Sequence, residues 1–194
     1  MSYSNLLSPA TAQKIGGVTL IELMIAITLV ALLLGLGVPS FGTWIQNTQI
    51  RTSAESILNG FNLARAEAVR RNAPTSFVFT NNLPIVGNVN TITPATTGTS
   101  WMVRTFQTGG VYTATDFIQG RSGADGSPNA VVAASQATIT FNSLGRVTPT
   151  PGANITINVT NNTGGTRPLN VVVTPGGQIR MCDPNLPTAN VQSC

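Results

Sequence analysis

Glu22 is the single charge in the 21-residue run from Val18 to Val38. An ionised carboxylate among so many apolar side chains is costly unless it meets an opposite charge, so the chemistry it offers is pairing with a cation. Five positions upstream stands Gly17, the second of the pair Gly16-Gly17. A secretory signal peptide places its small residues after the apolar stretch; here they come before it, and the order is reversed. At ~1.5 Å per residue a helix of this length crosses a ~30 Å hydrocarbon core, so residues 18–38 are read as a membrane span.

The remaining chemistry is sparse. The sequence has no histidine, which removes the usual acid–base side chain and every Ser-His or Cys-His arrangement. Its one lysine, Lys14, precedes the apolar run, so the phosphate-binding-loop signature and Schiff-base chemistry are missing from everything after it. The six acids are not paired in any motif. Catalysis is not expected, and no cofactor is called for. Two cysteines, Cys182 and Cys194, stand twelve positions apart at the carboxyl end. In an oxidising compartment such a pair reads as a disulfide pinning a loop against the last strand; without histidine or a second cysteine pair it is a poor metal site.

Beyond Pro39 there are nine arginines, no lysine and five acids, a balance of +4. Arginine contacts phosphate bidentately, which raises nucleic acid as a ligand, yet +4 is too small a charge to compel it. Charged residues make up only 8% of the 194. With Thr, Asn and Gly abundant, that composition suits an extracellular β domain better than a cytosolic enzyme. The Asn-x-Thr triplets at Asn154, Asn158 and Asn161 match a glycosylation acceptor and read more simply as a polar strand and its turn.

The elements that must hold these residues follow from periodicity. Ile50, Ala54, Ile57, Leu58, Phe61, Ala64 and Ala68 recur at three- and four-residue steps, with Arg51, Glu55, Arg65, Arg70 and Arg71 largely elsewhere on the wheel. This amphipathic helix ends where Asn72 and Pro74 stop it, and Arg70 and Arg71 suit the negative end of its dipole. Strands are expected over residues 75–80, 101–106, 111–113, 137–142, 154–160, 169–174 and 179–182, and hairpin turns at 142–146 and 175–178. Residues 81–99 and 119–128 read as long loops. Trp44 is assigned to a membrane-interface belt and Trp101 to the sheet core.

The segment Gly16-Gly17-Val18-Thr19-Leu20-Ile21-Glu22 resembles the class III leader of type IV pilins and type II secretion pseudopilins. That resemblance implies a prepilin peptidase that cuts between Gly17 and Val18 and methylates the new amino terminus on Val18. It implies that Glu22 of one subunit neutralises the Val18 amine of its neighbour during assembly. Pro39 stands where many pilins carry a helix-kinking proline. The sequence departs from the pattern in having Val18 where phenylalanine is usual.

Three later blocks narrow the resemblance: Leu63 to Asn72, Phe141-Asn142-Ser143-Leu144-Gly145-Arg146, and Gly177-Gln178-Ile179-Arg180-Met181-Cys182. Together they look like the GspH/FimT family of minor pilins and pseudopilins. The implied fold is α+β and type IV pilin-like, a long amino-terminal helix, half membrane and half amphipathic, packed on a mainly antiparallel β-sheet domain. The expected organisation is a leader (1–17), a membrane and filament-core segment (18–38), an amphipathic extension (39–73) and a β-rich domain (74–194). The expected place is the bacterial inner membrane, single-pass with a periplasmic carboxyl-terminal domain, and then the filament. Implied partners are the prepilin peptidase, sister minor pilins, the assembly platform and membrane lipid along 18–38.

Within the family the roles are priming or tipping a type IV pilus, sitting near the tip of a secretion pseudopilus, or binding DNA for uptake. The terminal cysteine pair with Cys182-Asp183-Pro184 looks more like the pilus branch. FimT-like DNA binders carry a Gly-Arg-x-Arg element near the carboxyl end. Here Gly177, Gln178, Ile179 and Arg180 align with it, so Gln178 replaces one arginine. Arg180, with Arg167 on the preceding strand and Arg146 at a turn, would make the patch. Against that stands the plainer reading of Arg180 as a solvated strand residue beside the disulfide loop.

Overall fold

The computed structural model describes residues 17–194, without the side chains of 36–40. The leader up to residue 16, with Lys14, lies outside the described residues, as does the ring of Pro39. The chain forms two compact units, one ending at Ser40 and the other spanning Phe41–Cys194. Helix α1 runs Leu20–Arg71, so its later part belongs to the second unit.

That later part is amphipathic for the reason its spacing implies. Ile50, Ala54, Ile57, Phe61, Ala64 and Ala68 are all buried, and the charged residues Arg51, Glu55, Arg65 and Arg70 are exposed. The helix stops at Asn72, whose φ of 50° lies in the left-handed region that asparagine tolerates better than most residues. In the last turn Glu67 accepts from both Arg70, at 2.6 Å, and Arg71, at 2.7 Å. Hydrogen bonds first from Arg70 and then from Arg71 hold its carboxyl at about 2, below the ordinary carboxylate range.

Among the described residues eight strands form two four-stranded antiparallel sheets. The first has the order β3-β2-β1-β5, built from β1 (Thr75–Thr80), β2 (Ser100–Thr105), β3 (Phe117–Arg121) and β5 (Thr138–Phe141). The second has the order β4-β6-β7-β8, from β4 (Ala130–Ala134), β6 (Ile155–Asn161), β7 (Leu169–Val173) and β8 (Ile179–Cys182). One core joins the helix to both: Phe61 meets Phe77 at 4.2 Å between ring centroids, and the same cluster takes in Ile139, Ile157, Val171 and Val173.

Strand β1 is buried along its whole length. Phe77 and Phe79 face the helix, while Val78 on the other side joins Met102, Val89 and Ile92 in a second, smaller core. That outer core is closed by the loops 81–99 and 106–116. Arg104 ties them down, donating to the Val89 carbonyl with its guanidinium 3.5 Å from the centre of the Tyr112 ring. Burial pushes the Arg104 guanidinium down from its ordinary value, against the attraction of Tyr112 and Asp116. Strand β6 shows the opposite pattern, Ile155, Ile157 and Val159 buried in alternation with half-buried Thr156, Asn158 and Thr160, because only one of its faces meets the core.

The helix end, β1, β2, β5 to β8, the loop 81–99 and both turns fall where the sequence puts them. Two local expectations do not hold, and one strand was not expected. Residues 111–113 are not a strand, because the Asp116 carboxylate accepts from the Thr113 N–H and hydroxyl and turns the chain into a single 3-10 turn. That backbone bond, first among several, also draws the Asp116 carboxyl below its usual range. The stretch 119–128 is not all loop, because β3 reaches Arg121 and pairs with β2. The unexpected strand is β4, an alanine-rich segment of weak strand propensity that is held by its pairing with β6.

Candidate functional site

The leader junction comes first. Gly17 and Val18 are exposed and precede the helix, so the bond between them is accessible. Thr19 caps the helix: its hydroxyl accepts from the Glu22 N–H at 3.3 Å, and its carbonyl accepts from Leu23. Thr-x-x-Glu is the spacing of a capping box, a signal legible in the sequence that the reading of Glu22 as an assembly group passed over. Glu22 therefore lies in the first turn, where a carboxylate also suits the positive end of the helix dipole.

Between Leu20 and Leu34 the large apolar side chains are uncovered, Leu20 at 78% and Leu33 at 71% exposure. Such a surface calls for lipid or protein around it. Among the described residues no helix is long and apolar enough to cross a membrane. Leu36, Gly37 and Val38, which complete the run in the sequence, are among the residues without described side chains.

The carboxyl end is organised around Cys182 and Cys194, which are disulfide-bonded as the spacing implies. The returning tail pairs Asp183 with Ser193, and the Asp183 N–H donates to the Gln192 carbonyl at 2.8 Å. Arg180 is part of this closure. Its guanidinium donates to the carbonyls of Ser193, at 3.4 Å, and Cys194, at 3.2 Å.

The four residues singled out for DNA do not form one patch. Gly177 is packed so closely on the Gly145-Arg146 turn that a Cβ there would stand 1.9 Å from the Gly145 oxygen, which brings Arg146 beside Gln178. Arg167 is not on a strand. It stands two residues before β7, its N–H donating to Asn47 at 3.2 Å, and it lines a groove with Cys182 and Asp183 at the far end of β8 from Gln178. Two of the three triplet asparagines are engaged within the fold, Asn158 with Asn170 across the β6–β7 pair and Asn161 with Gln49 of the helix.

That groove, of about 560 Å³, lies within the second unit and was not foreseen in the sequence. Trp44, Arg51 and Glu55 of the helix form one wall, and Arg167, Met181 and Asp183 stand opposite in the chain. Arg51 and Glu55 are paired with each other at 2.8 Å. Among the described residues no group of acids, cysteines and histidines is clustered to hold a metal ion.

Comparison with known proteins agrees with this architecture. Residues 13–38 match the prokaryotic N-terminal methylation motif, and residues 53–177 match the family described as type II transport protein GspH. No curated protein matches the chain in sequence. Among solved structures, the type IV minor pilin FimU of Pseudomonas aeruginosa is similar at 14% identity and a TM-score of 0.50, over 74% of this chain and 98% of that one. Escherichia coli GspH is similar at 13% identity and a TM-score of 0.43, over 72% of this chain and 91% of that one. With an N-terminal methylation motif, a GspH match over most of the second unit and the helix-on-antiparallel-sheet fold, the chain belongs to the GspH family of minor pilins and pseudopilins.

Proposed function

We propose that this chain is a minor subunit of a type IV pilus. It is made as a precursor, held in the inner membrane by residues 18–38, cut between Gly17 and Val18, methylated on Val18 and incorporated into the filament near its priming complex or tip. The observation that carries the reading is the methylation motif at residues 13–38 in front of a FimU-like fold. The prepilin peptidase, the assembly platform and sister minor pilins are its partners. Its work is assembly rather than catalysis. Glu22 supplies the docking charge: in the filament it neutralises the Val18 amine of the next subunit, where either charge alone would be costly.

The test is expression of the full precursor with its peptidase, followed by mass spectrometry of the amino terminus and by filament isolation. The expected product begins at N-methylated Val18. Glu22→Ala is expected to be cut normally yet depleted from filaments, and normal incorporation of that variant would remove the docking role.

A second reading, a minor pseudopilin of a type II secretion system, is favoured by the description of the matched family. Deleting the gene separates them, since loss of pili supports the first reading and loss of secretion the second. DNA binding is the weaker extension. Arg180 is spent on the tail carbonyls, and Arg146 and Arg167 attend opposite ends of β8. Titration with labelled duplex at low and moderate salt is expected to show at most weak, salt-sensitive association, unchanged by Arg180→Ala.

A further inference from the structure

The groove beside the disulfide has a charge arrangement that its own residues leave incomplete. Arg51 and Glu55 satisfy each other, but among the described residues neither Arg167 nor Asp183 enters an ion pair. Asp183 is 7% exposed, and its one side-chain hydrogen bond comes from the Asn185 N–H. A largely covered carboxylate with one oxygen still open to solvent and an exposed guanidinium thus line the same groove without an ion pair between them. A ligand carrying both an anion and a cation would complete both, and hydrogen bonds to charged groups are stronger than neutral ones. The volume of about 560 Å³ is in the range of small-molecule clefts.

The surroundings say where that zwitterion comes from. Phe41, Trp44 and Ile45 are exposed at 64%, 62% and 44%, and Trp44 also lines the groove. The rings of Phe41 and Trp44 are 5.7 Å apart. In the sequence this cluster begins three residues after the apolar run ends at Val38. Exposed aromatics flanking an apolar segment are the residues that settle at lipid headgroup level.

We propose that the groove seats the headgroup of an aminophospholipid, its phosphate on Arg167 and its primary ammonium on Asp183, with Trp44 at the boundary with the acyl chains. The site would tie the globular unit to the bilayer surface before incorporation and would empty as the subunit leaves the membrane. An anionic headgroup without the ammonium would leave Asp183 unpaired, and a quaternary ammonium could not donate a hydrogen bond to it. This inference rests on the membrane-held reading for its biological setting, but its test does not.

The full chain in detergent micelles is titrated with short-chain phosphatidylethanolamine, phosphatidylcholine and phosphatidylglycerol, reading tryptophan emission, with Trp44→Phe to identify the signal from the buried Trp101. Saturable binding of the ethanolamine lipid is expected, on the order of tenfold tighter than the other two, and weakened on the order of tenfold by Arg167→Gln and by Asp183→Asn. Arg167 is exposed, so its variant folds whatever happens to Asp183, and retention of the disulfide checks both. Equal response to all three lipids, or indifference to both substitutions, would overturn the proposal. So would free phosphoethanolamine binding as tightly as the lipid, or a signal that depends on protein concentration without lipid, which would assign the groove to a second copy of the chain. Failure of peptidase processing would sink the pilin reading and leave this titration intact.

Discussion

Glu67 concentrates the electrostatics of the helix end. It accepts from two arginines in the final turn, and its carboxyl is lowered from 4.5 to about 2. A carboxylate whose folded value lies below its unfolded one contributes stability that is fully present above the unfolded value and is lost as pH falls through the folded one. Stability is therefore expected to decline between about pH 4.5 and pH 2, with Glu67→Gln removing that part of the slope. Arg70 is 65% exposed, so solvent screening keeps its share of the contribution at neutral pH small. Urea midpoints of the two proteins at pH 7 and pH 3 would check both. The cap at Thr19 engages the backbone N–H of Glu22 and not its carboxylate, so one turn can hold both a helix cap and a charge for pairing.

The joints between elements depend on absent side chains as much as on present ones. Gly177 has φ +84° and lies against the Gly145 carbonyl, so the hairpin between β7 and β8 can close on the Gly145-Arg146 turn only without a Cβ. Gly177→Ala is expected to cost about 2–3 kcal/mol, from the left-handed backbone and from forcing the two turns apart. Phe61 is the helix's main commitment to the sheets: fully buried, it contacts the rings of Phe77, Phe79 and Phe141. Phe61→Ala should lose about 3–5 kcal/mol, and more than an exposed substitution on the opposite face such as Asn59→Ala. Thermal unfolding of each variant measures these differences.

For the whole molecule, the decisive feature is that the second unit carries its own core while the first presents uncovered apolar side chains. The proposed role uses both, a domain that keeps its fold and a segment whose burial would be completed by lipid and then by neighbours. The tail clasp is the covalent part of the domain's integrity. Closing the loop from Cys182 to Cys194 removes unfolded-state freedom worth about 3 kcal/mol, and the Arg180 contacts to Ser193 and Cys194 depend on the tail being there. Cys194→Ser is expected to lower the denaturation midpoint accordingly and to free the tail from β8, read as faster amide exchange over residues 183–194. The exchange pattern distinguishes loss of the clasp from general unfolding.

The sequence by itself determined the end of the amphipathic helix and most strands, because each is written in local spacing. Apolar residues recur at three and four, and β-branched and aromatic runs lie between turn residues. It also implied the disulfide, since two cysteines have only each other. The strand β4 was illegible because a partner distant in the chain, β6, overrides weak local preference, and the turn at 111–116 because the Asp116 carboxylate, three residues on, captures the Thr113 N–H. Tertiary structure alone decided which arginines act together. The curl of the tail spends Arg180 on carbonyls, the packing of Gly177 delivers Arg146 to one end of β8, and the approach of the helix to residues 167–192 makes Arg167 part of a groove with Asp183. Residue spacing along a chain carries no record of contacts closed across more than a hundred positions, and those contacts define this site.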